Sequence, residues 1–420
     1  MISVEEARGR ILANFARLDA VEQPILESIG QCIAEDVHAT FDIPPLDNTA
    51  MDGYAVQAAS TDGASESRPV ELAVIGELAA GYVFEGPVGA GRAVRIMTGA
   101  PIPPGADSIV PFEETDETGR GVPSKVGLTE GRVRVFKAAL PGNNIRRAGE
   151  DVRSGTIVIS AGTVLRAPHI GVLASLGRAT VRVTRRPVVA ILSTGDEVLE
   201  PGEPRGPSQI YDSNSYSIAA LVLRNGGIPL RLGIARDTIE DLTAKVRAGM
   251  KADMLVTSAG VSRGDFDVVK DVLAREGRID FWTVNMRPGK PLAFGIFEDG
   301  DRRVPHIGLP GNPVSAMITF ELFGRAAIQT MMGRPVQDRP MIRAVTRDRI
   351  RMADERRFFA RCIITREDDR WVASLAGSQG SGVLTALARG NGLAIVPEGS
   401  PDVQPGTEVD VLMLDWDHGE

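Results

Sequence analysis

The sequence predicts a multidomain α/β plus β protein, in which a doubly wound α/β domain is joined to an inserted β-rich domain, a small α+β domain and a C-terminal β domain. The first observation is the length. A domain usually holds about 100–200 residues, so 420 residues are too many for a single domain. The second is an alternation of strand-length apolar runs with helical patterns between positions 187 and 333. The third is the set of short β-type runs, separated by Gly and Pro clusters, on either side of that region.

The chain opens with a predicted amphipathic helix. Ser3 and Glu6 form a capping box ahead of apolar residues at helical spacing. Much later, a strand-like TIVIS precedes a helix with Pro168 in its first turn and Gly177 past its end. We expect these pieces to form one discontinuous domain, residues 1–43 with 152–186, into which a β-rich domain, residues 44–151, is inserted.

The region 187–335 is predicted to be the α/β domain. Its strand-length runs are VVAIL, IPLRLGI, DMLVTS, IDFWTV and VPHIGL, and the first three are each followed by a helical pattern. This alternation favours a parallel sheet covered by helices on both faces. Helix starts are predicted at Ser213 or Asn214, at Thr238 with Asp241, and at Asn312 with Pro313. Residues 336–420 return to β-type runs and predict a separate C-terminal β domain.

The composition excludes several classes of protein. With 47 Lys+Arg against 55 Asp+Glu, the net charge of −8 argues against binding nucleic acid by phosphate neutralisation. Two cysteines are too few for a disulfide framework, the first residues lack the pattern of a secretion signal, and no apolar run is long enough to cross a bilayer. We therefore expect a cytoplasmic protein with no membrane partner. Four histidines argue against a multi-histidine metal centre, so chemistry must rest on carboxylates, hydroxyls, cationic side chains and backbone amides.

Four loops follow the carboxyl ends of predicted strands, where open α/β sheets bind ligands. They are Ser193–Glu197, Ser258–Asp265, Met286–Pro291 and Leu309–Pro313. Small residues let backbone N–H groups approach an anion, and helix N-termini add partial positive charge, so phosphate is the expected ligand. The alternative is that Gly and Pro only shape tight turns. None of these loops is a Walker A or dinucleotide-binding sequence.

Carboxylates are concentrated in and near the same loops. They are Asp196, Glu197, Asp212, Asp237, Asp265 and Asp267. Crowded like charges beside a phosphate are costly unless a cation intervenes, and Mg²⁺ commonly joins one or two carboxylates to phosphate oxygens. Asp212 and Asp265 are at least as well explained as helix caps. Arg263, Arg287 and Lys290 are candidates for pairing with anionic groups, although each alone is typical of a solvated surface.

The predicted β insertion carries two candidate ligand contacts. Asp52 lies between Met51 and Gly53, and Thr98 lies beside Gly99 at a predicted strand end. Short polar side chains beside glycine suit contact with a ligand. Ordinary turn chemistry explains both segments equally well.

Eight short sequences, in this order, carry a family resemblance that spans nearly the whole chain. They are AMDGYA, RIMTGAPIPPGAD, AGED, STGDE, IYDSN, SAGVSRGDFD, RPGKP and GLPGNPVS. Together they resemble the molybdopterin molybdenumtransferase family, MoeA, whose eukaryotic relative is the gephyrin E domain. The resemblance implies that the doubly wound domain has the molybdopterin-binding fold. It also implies an elongated four-domain protomer that works as a homodimer, with a cleft between the α/β domain of one subunit and the inserted β domain of the other.

The resemblance further implies a reaction. Adenylylated molybdopterin and molybdate are the substrates, AMP is released, and molybdenum remains on the dithiolene with Mg²⁺ assisting. Partners would include the adenylyltransferase that supplies the substrate and the molybdoenzymes that receive the product. Two alternatives remain: a molybdopterin adenylyltransferase, and a gephyrin-like scaffold that binds a partner peptide.

Site residues are implied by the same resemblance. The catalytic residues would be Asp52, Thr98, Glu197, Asp237 and Asp267, of which Glu197, Asp237 and Asp267 would bind the metal ion. Substrate would be bound by Asp151, Asp212, Ser213, Asn214, Gly260, Arg287, Lys290, Pro310 and Pro313. The chain departs from the family pattern, as we interpret it, at Arg287, where many relatives have lysine, and at Thr283, where they have a basic residue. Arginine keeps the charge but presents it as a planar fork.

Overall fold

The computed structural model describes residues 1–117, 131–259, 272, 275, 277–300 and 302–415, which form two compact units. The larger unit comprises Met1–Ala34, Gly162–Ala167 and Thr180–Glu420, and the smaller unit comprises Glu35–Ala161 and Pro168–Ala179. The smaller unit extends beyond the predicted insertion 44–151 on both sides. The division into four domains stays a prediction.

The larger unit begins with helix α1, Val4–Leu12, and strand β1, Ala20–Pro24. Ser3 caps α1 by accepting a hydrogen bond from the backbone N–H of Glu6 at 3.0 Å, as predicted. Strand β1 pairs with β11, Thr180–Thr184, in antiparallel register. The N-terminal segment is therefore joined to residues about 160 positions later, just before the α/β sheet.

The smaller unit is built mainly of strands. They are β2 (Val37–His38), β3 (Asn48–Thr49), β4 (Gly53–Val56), β5 (Val70–Leu78), β6 (Arg92–Ile96), β7 (Ser108–Pro111), β8 (Arg132–Val135), β9 (Ile145–Arg146) and β10 (Ile157–Ile159), with 3₁₀ turns at Ala58–Thr61 and Phe112–Glu114 and helix α2 at Ala167–Ser175. Five of the strands form one sheet in the order β7-β4-β6-β5-β8, and β10 pairs with β2. This last pairing explains why the unit begins before residue 44 and ends after residue 151.

The α/β part of the larger unit contains a six-stranded sheet. The strands of this region are β12 (Val188–Thr194), β13 (Val198–Leu199), β14 (Ile210–Tyr211), β15 (Ile228–Ala235), β16 (Met254–Ser258), β17 (Gly277–Thr283), β18 (Met286–Arg287), β19 (Pro291–Asp299) and β20 (Arg302–Leu309), of which β13, β14 and β18 lie outside the sheet. The described helices are α3 (Ser213–Arg224), α4 (Ile239–Gly249), α5 (Pro313–Thr319) and α6 (Arg325–Met331), with a π-helical turn at Phe320–Gly324 between the last two. The strand order is β15-β12-β16-β20-β19-β17.

The sheet is mixed rather than purely parallel. Strands β15, β12, β16 and β20 are parallel, as predicted, but β19 runs antiparallel to both β20 and β17. The expectation of a parallel sheet was therefore wrong for β19, to which the sequence analysis assigned no strand. Helices cover both faces: α3 and α5 pack with Val189 and Ile191 on one side, while α4 packs with Ala190 and Leu192 on the other. Successive β12 residues thus enter opposite cores, which is the doubly wound arrangement.

The end of the larger unit is a closed five-stranded barrel. Its strands are β21 (Met341–Thr346), β22 (Arg357–Glu367), β23 (Arg370–Leu375), β24 (Gly392–Val396) and β25 (Glu408–Met413), with helix α7 at Leu384–Arg389. The order β22-β23-β21-β25-β24 closes through pairing of β24 with β22. Phe358, Cys362 and Val411 are among the side chains that fill it. The prediction that residues 336–420 return to β structure is confirmed. In the described ranges, no helix has both the length and the apolar character needed to cross a membrane.

Candidate functional site

The ends of three adjacent strands form one rim of the six-stranded sheet. In the register of β12, β16 and β20, Ser193 lies opposite Ser258, and Ser258 lies opposite Leu309. The predicted loops that begin at these residues therefore leave the sheet side by side. The fourth loop, 286–291, follows β17, which points the same way but is separated from β20 by β19.

The first turn of α3 joins these loops through Asn214. The Asn214 Nδ2 group donates to Ser258 Oγ at 2.6 Å and to the Gly311 carbonyl at 2.8 Å. Its Oδ1 atom is buried and has no hydrogen-bond partner. Ser213 is exposed at the start of the helix. One amide thus fixes two loops and leaves one acceptor unsatisfied at the rim.

Asp212 is the N-cap of α3. The sequence analysis considered it either a helix cap or a ligand-binding residue, and it predicted the helix start at Ser213 or Asn214. Its Oδ1 accepts from Ser215 N at 3.0 Å and from Ser193 Oγ at 3.0 Å, while its Oδ2 accepts from Ser215 Oγ at 2.6 Å. The side chain is only 3% exposed. Because both oxygens are engaged, the geometry favours the capping role.

Two prolines shape the last rim loop. Pro310 is buried directly after β20, and Pro313 is the first residue of α5, with Asn312 in the N-cap position as predicted. The Asn312 side chain makes no capping hydrogen bond. Pro313 fits this position because the first N–H of a helix needs no intrahelical acceptor.

Three acidic residues lie together beyond the ends of β12 and β15. The backbone N–H of Asp237 donates to Asp196 Oδ1 at 3.3 Å. Partial burial, and then the charges of Asp196 and Glu197, raise the pKa of Asp237 above its ordinary value. The Glu197 carboxylate folds over Gly195, whose φ is +130°, so that a Cβ at residue 195 would lie 2.5 Å from Glu197 Oε2. This crowding of like charge fits a cation nearby.

These acids do not by themselves form a protein-only metal cage. Across the part of the chain that the structure describes, no three Asp, Glu, His or Cys side chains come together as a metal-binding group. Asp267, predicted as a ligand, and Gly260, predicted to bind substrate, lie outside the described residues, as do Arg263 and Asp265. The described acids suit Mg²⁺ bound by one or two carboxylates with substrate oxygens completing its shell.

The loop after β17 carries two cations toward the barrel. Strand β18 pairs with β22, and the Arg287 guanidinium lies 4.6 Å from the centre of the Phe358 ring. Its Nη1 is buried without a hydrogen-bond partner. Lys290 lines an open cleft of about 740 Å³ together with Asp354 and Arg356. Hydrogen bonds from Arg356, and to a lesser extent the charge of Arg287, lower the pKa of Asp354 to about 2.

Arg361 is a candidate site residue that the sequence analysis missed. It is fully buried on β22, and its Nη2 donates to the carbonyls of Ser378 at 3.1 Å and Gly380 at 3.0 Å. Its Nε and Nη1 have no partner, and no carboxylate of the described residues pairs with it. Burial first, and then the charge of Arg287, lower the pKa of Arg361 to about 10. A buried guanidinium without a counter-ion is costly, so this arrangement favours an anionic ligand.

Asp52 and Thr98, both in the smaller unit, are bonded to each other. Asp52 Oδ1 accepts from the Thr98 backbone N–H at 2.7 Å and from Thr98 Oγ1 at 2.8 Å. These two bonds, with a smaller effect of the Arg95 charge, lower the pKa of Asp52. Asp151 is exposed, and its backbone N–H donates to the Ile43 carbonyl at 3.0 Å. Asp52 and Thr98, which the sequence analysis named as two candidate ligand contacts, are therefore neighbours in the structure.

Comparison with known families supplies the class of protein that this fold and rim define. Three family models match in chain order: the MoeA N-terminal region (domain I and II) over residues 2–177, a probable molybdopterin-binding domain over 190–330, and the MoeA C-terminal region (domain IV) over 343–414. The matched regions cover the smaller unit, the six-stranded sheet and the barrel.

Individual relatives match over their full length. The chain is 37% identical to molybdopterin molybdenumtransferase 2 of Mycobacterium tuberculosis, over 99% of this chain and 100% of that protein. It is 34% identical to the molybdopterin molybdenumtransferase of Bacillus subtilis, over 100% of this chain and 95% of that protein. A crystal structure of the molybdopterin biosynthesis MoeA protein from Pyrococcus horikosii superposes with a TM-score of 0.80 at 30% identity, covering 99% and 100% of the two chains. The chain therefore belongs to the MoeA family and is an enzyme of molybdenum cofactor biosynthesis.

Proposed function

We propose that this chain inserts molybdate into adenylylated molybdopterin, forms Mo-molybdopterin and releases AMP. The observation that carries the proposal is a pair of guanidinium groups, in which Arg287 Nη1 and Arg361 Nε and Nη1 are buried without hydrogen-bond partners. The family resemblance and the molybdopterin molybdenumtransferases among the relatives support the molybdopterin part of the substrate. The adenylylated form and the release of AMP rest on the resemblance alone.

Molybdate is the proposed ligand of the unpartnered cations. Arg361 offers Nε and Nη1, and Arg287 offers Nη1, to the oxygens of a tetrahedral dianion. Lys290, on the same loop as Arg287, adds a mobile positive charge at the cleft. All the reacting species are anions, so positioned cations reduce the repulsion that opposes their approach.

Mg²⁺ is the proposed cofactor, held by Glu197, Asp237 and Asp267. Partial burial, and then the charges of Asp196 and Glu197, raise the pKa of Asp237, and a bound cation would offset both effects. When bound, a divalent cation would neutralise charge on the phosphoanhydride. Asp196 lies beside them and holds the Asp237 backbone in place.

The nucleotide-pterin substrate is proposed to lie along the rim formed by β12, β16 and β20. Ser213, Asn214 and Gly260 would contact it, Asp212 would fix the start of α3, and Pro310 with Pro313 would shape the last loop. The unsatisfied Asn214 Oδ1 suits an N–H or O–H donor of the ligand rather than a phosphate oxygen.

A homodimer is the proposed assembly, and an exposed apolar patch on the larger unit supports it. The patch side chains are Leu26, Ile29, Leu223, Ile228 and Leu230, which are 38–76% exposed. Arg334 connects the two segments that carry these side chains. Its Nη2 donates to the carbonyl of Gly30, next to Ile29, and also lies against Gly226, between Leu223 and Ile228. Contiguous exposed apolar side chains are typical of an interface. In the dimer that the resemblance implies, Asp52, Thr98 and Asp151 would act on the substrate held by the other subunit.

Two further proposals follow from the resemblance. The adenylyltransferase that makes the substrate and the molybdoenzymes that accept the product are the expected partners. A cytoplasmic location is supported by the two cysteines, which are both free and buried, as suits a reducing compartment.

Release of AMP from adenylylated molybdopterin, with molybdate and Mg²⁺ present, tests the function directly. We expect Glu197→Ala and Asp267→Ala each to reduce the rate about 100-fold or more, because each removes a charge that holds the cation. Glu240→Ala, which removes an exposed acid from the first turn of α4, is the matched control and should keep the rate within about twofold.

Three outcomes would each overturn a part of the proposal. Wild-type rates in both variants, with metal present, would rule out the proposed metal ligands. Pyrophosphate release from ATP and molybdopterin, without use of molybdate, would identify an adenylyltransferase. A stoichiometric peptide partner combined with no AMP release would identify a scaffold.

A further inference from the structure

The segment 195–212, here called the acidic loop, carries Glu197 between β12 and α3. Its short strands β13 and β14 pair over two residues each. Two further backbone bonds close its ends: Ile210 N donates to Glu197 O, and Asp212 N donates to Leu199 O, both at 2.8 Å. Such short pairing is marginal by itself, so the position of Glu197 depends on side-chain anchors.

One anchor joins the acidic loop to the edge of the sheet. Arg231, on edge strand β15, places Nη2 at 2.8 Å from each carboxylate oxygen of Glu200. The Tyr216 hydroxyl donates to Glu200 Oε2 at 3.0 Å, and the Arg231 guanidinium lies 3.7 Å from the centre of the Tyr216 ring. Arg231 is thus held between the acidic loop and the first turns of α3.

The same guanidinium is connected to the rim. Arg231 Nε donates to Ser215 Oγ at 3.1 Å, and Ser215 Oγ donates in turn to Asp212 Oδ2 at 2.6 Å. Asp212 Oδ1 accepts from Ser193 Oγ at 3.0 Å, two residues before Gly195. A continuous chain of hydrogen bonds therefore runs from Arg231 to the end of β12, where the acidic loop begins.

We infer that Arg231 is a positioning residue that holds the acidic loop against β15 and α3, and so keeps Glu197 at the rim beside Asp237. The inference rests on the proposed metal site and names a residue outside it. Its side chain is 27% exposed and contacts both the acidic loop and α3, unlike an isolated surface ion pair that joins two mobile side chains. Substitution of a residue that orients a metal ligand without binding the metal typically changes metal affinity by about 10–100-fold.

The test measures cation binding to the full chain, with Mn²⁺ as the probe and electron paramagnetic resonance as the readout. We expect Arg231→Gln to raise the Mn²⁺ dissociation constant about 10-fold and to speed amide exchange in residues 198–211. Arg349→Gln, which breaks the exposed pair with Asp402 in the barrel, is the control and should leave both unchanged.

A second variant separates positioning from misfolding. Glu200→Gln breaks the same ion pair from the loop side, so its effect on Mn²⁺ affinity should not add to that of Arg231→Gln in the double variant. Arg231→Lys should recover part of the affinity, because it restores the charge but not the bond to Ser215. Unchanged Mn²⁺ affinity in folded Arg231→Gln and Glu200→Gln would overturn the inference alone. Wild-type protein that binds no Mn²⁺ at this site would overturn both the proposed metal site and this inference.

Discussion

His306 shows how a titratable residue near the rim can be purely structural. It lies on β20, three residues before the rim, and is fully buried. Its Nε2 is 2.9 Å from Thr257 Oγ1, and its ring packs edge-on against Phe297 with centroids 5.5 Å apart. Burial lowers the pKa of His306 to about 3, so the folded protein keeps this imidazole neutral.

This burial predicts a pH dependence of stability. An unfolded histidine binds a proton below its ordinary pKa of about 6.5, whereas folded His306 binds one only near pH 3. Between these values the unfolded state binds more protons, so stability falls as the pH falls. Relative to His306→Gln, the wild type should lose about 1.4 kcal/mol of unfolding free energy between pH 7.5 and 5.5.

Urea unfolding followed by tryptophan fluorescence measures this difference, since Trp282 and Trp371 belong to the larger unit. The glutamine variant is its own control, because every other titrating group is common to both proteins. Parallel pH profiles for the two proteins would show that His306 is protonated in the folded state, contrary to expectation.

Individual residues were predictable from sequence where the interaction is local. The caps at Ser3 and Thr238 were predicted because each bonds to a backbone N–H three residues later. The role of Arg361 was not, since nothing near it in the sequence shows that its strand faces a buried, carboxylate-free region. The one available signal was a charged residue inside the apolar run RFFARCIIT.

At the level of elements, the π-helical turn Phe320–Gly324 contains a buried ionic cluster. Glu321 Oε1 accepts from Arg339 Nε at 2.7 Å and lies 2.9 Å from Arg325 Nε, and all three side chains are less than 8% exposed. Arg325 also donates to the Gln337 carbonyl at 2.7 Å. The cluster therefore ties the helix after the rim to the segment that leads into the barrel.

Glu321→Ala should destabilise the larger unit by about 3–5 kcal/mol, because it removes the buried carboxylate that two buried guanidinium groups share. Glu408→Ala is the control: it breaks an exposed pair with Arg343 in the barrel and should cost less than about 1 kcal/mol. Urea unfolding of both variants measures the two costs. Similar values for the two would mean that the buried cluster contributes no more than a surface pair.

Strand β19 is the element that sequence patterning failed to identify. It begins with Pro291 and contains Gly295, two residues that are uncommon inside strands. The structure explains the glycine: a Cβ there would lie 2.1 Å from the Arg278 carbonyl of β17. The close approach of the two backbones therefore requires glycine at position 295, and this glycine weakens the strand pattern in the sequence. By contrast, the barrel strands were predictable because each is a β-type run of residues without an internal proline.

At the level of the whole molecule, the exposed apolar patch predicts that the chain self-associates. Leu223→Glu should shift the protein from dimer to monomer, because it places a charge in the proposed interface. Val83→Glu, an equally large change at an exposed apolar residue of the smaller unit, is the control. Size-exclusion chromatography with light scattering measures both masses. A monomeric wild type, or a Leu223→Glu variant that stays dimeric, would contradict the prediction.

The overall architecture was predictable because each part has its own sequence pattern, and the family resemblance joined the parts in order. The strand pairings that connect these parts could not be predicted from the sequence. Pairing of β2 with β10 brings together residues about 120 positions apart, and such contacts leave no periodic signal. The same applies to β18 with β22, which brings Arg287 toward the barrel strand that carries Arg361.

The closed barrel affects how the two walls of the proposed anion site respond to thermal fluctuation. One wall is β22 with Arg361, and the other is β18 with Arg287. Strand β22 pairs with β24 over Phe358–Cys362 and with β23 over Cys362–Glu367, so its amides are released only when the barrel opens. Arg287, on β18, is joined to β22 by a pairing of only two residues, which can fray locally. One wall is therefore rigid and the other compliant, and exchange of an anion would proceed by movement of the Arg287 side while Arg361 stays in place.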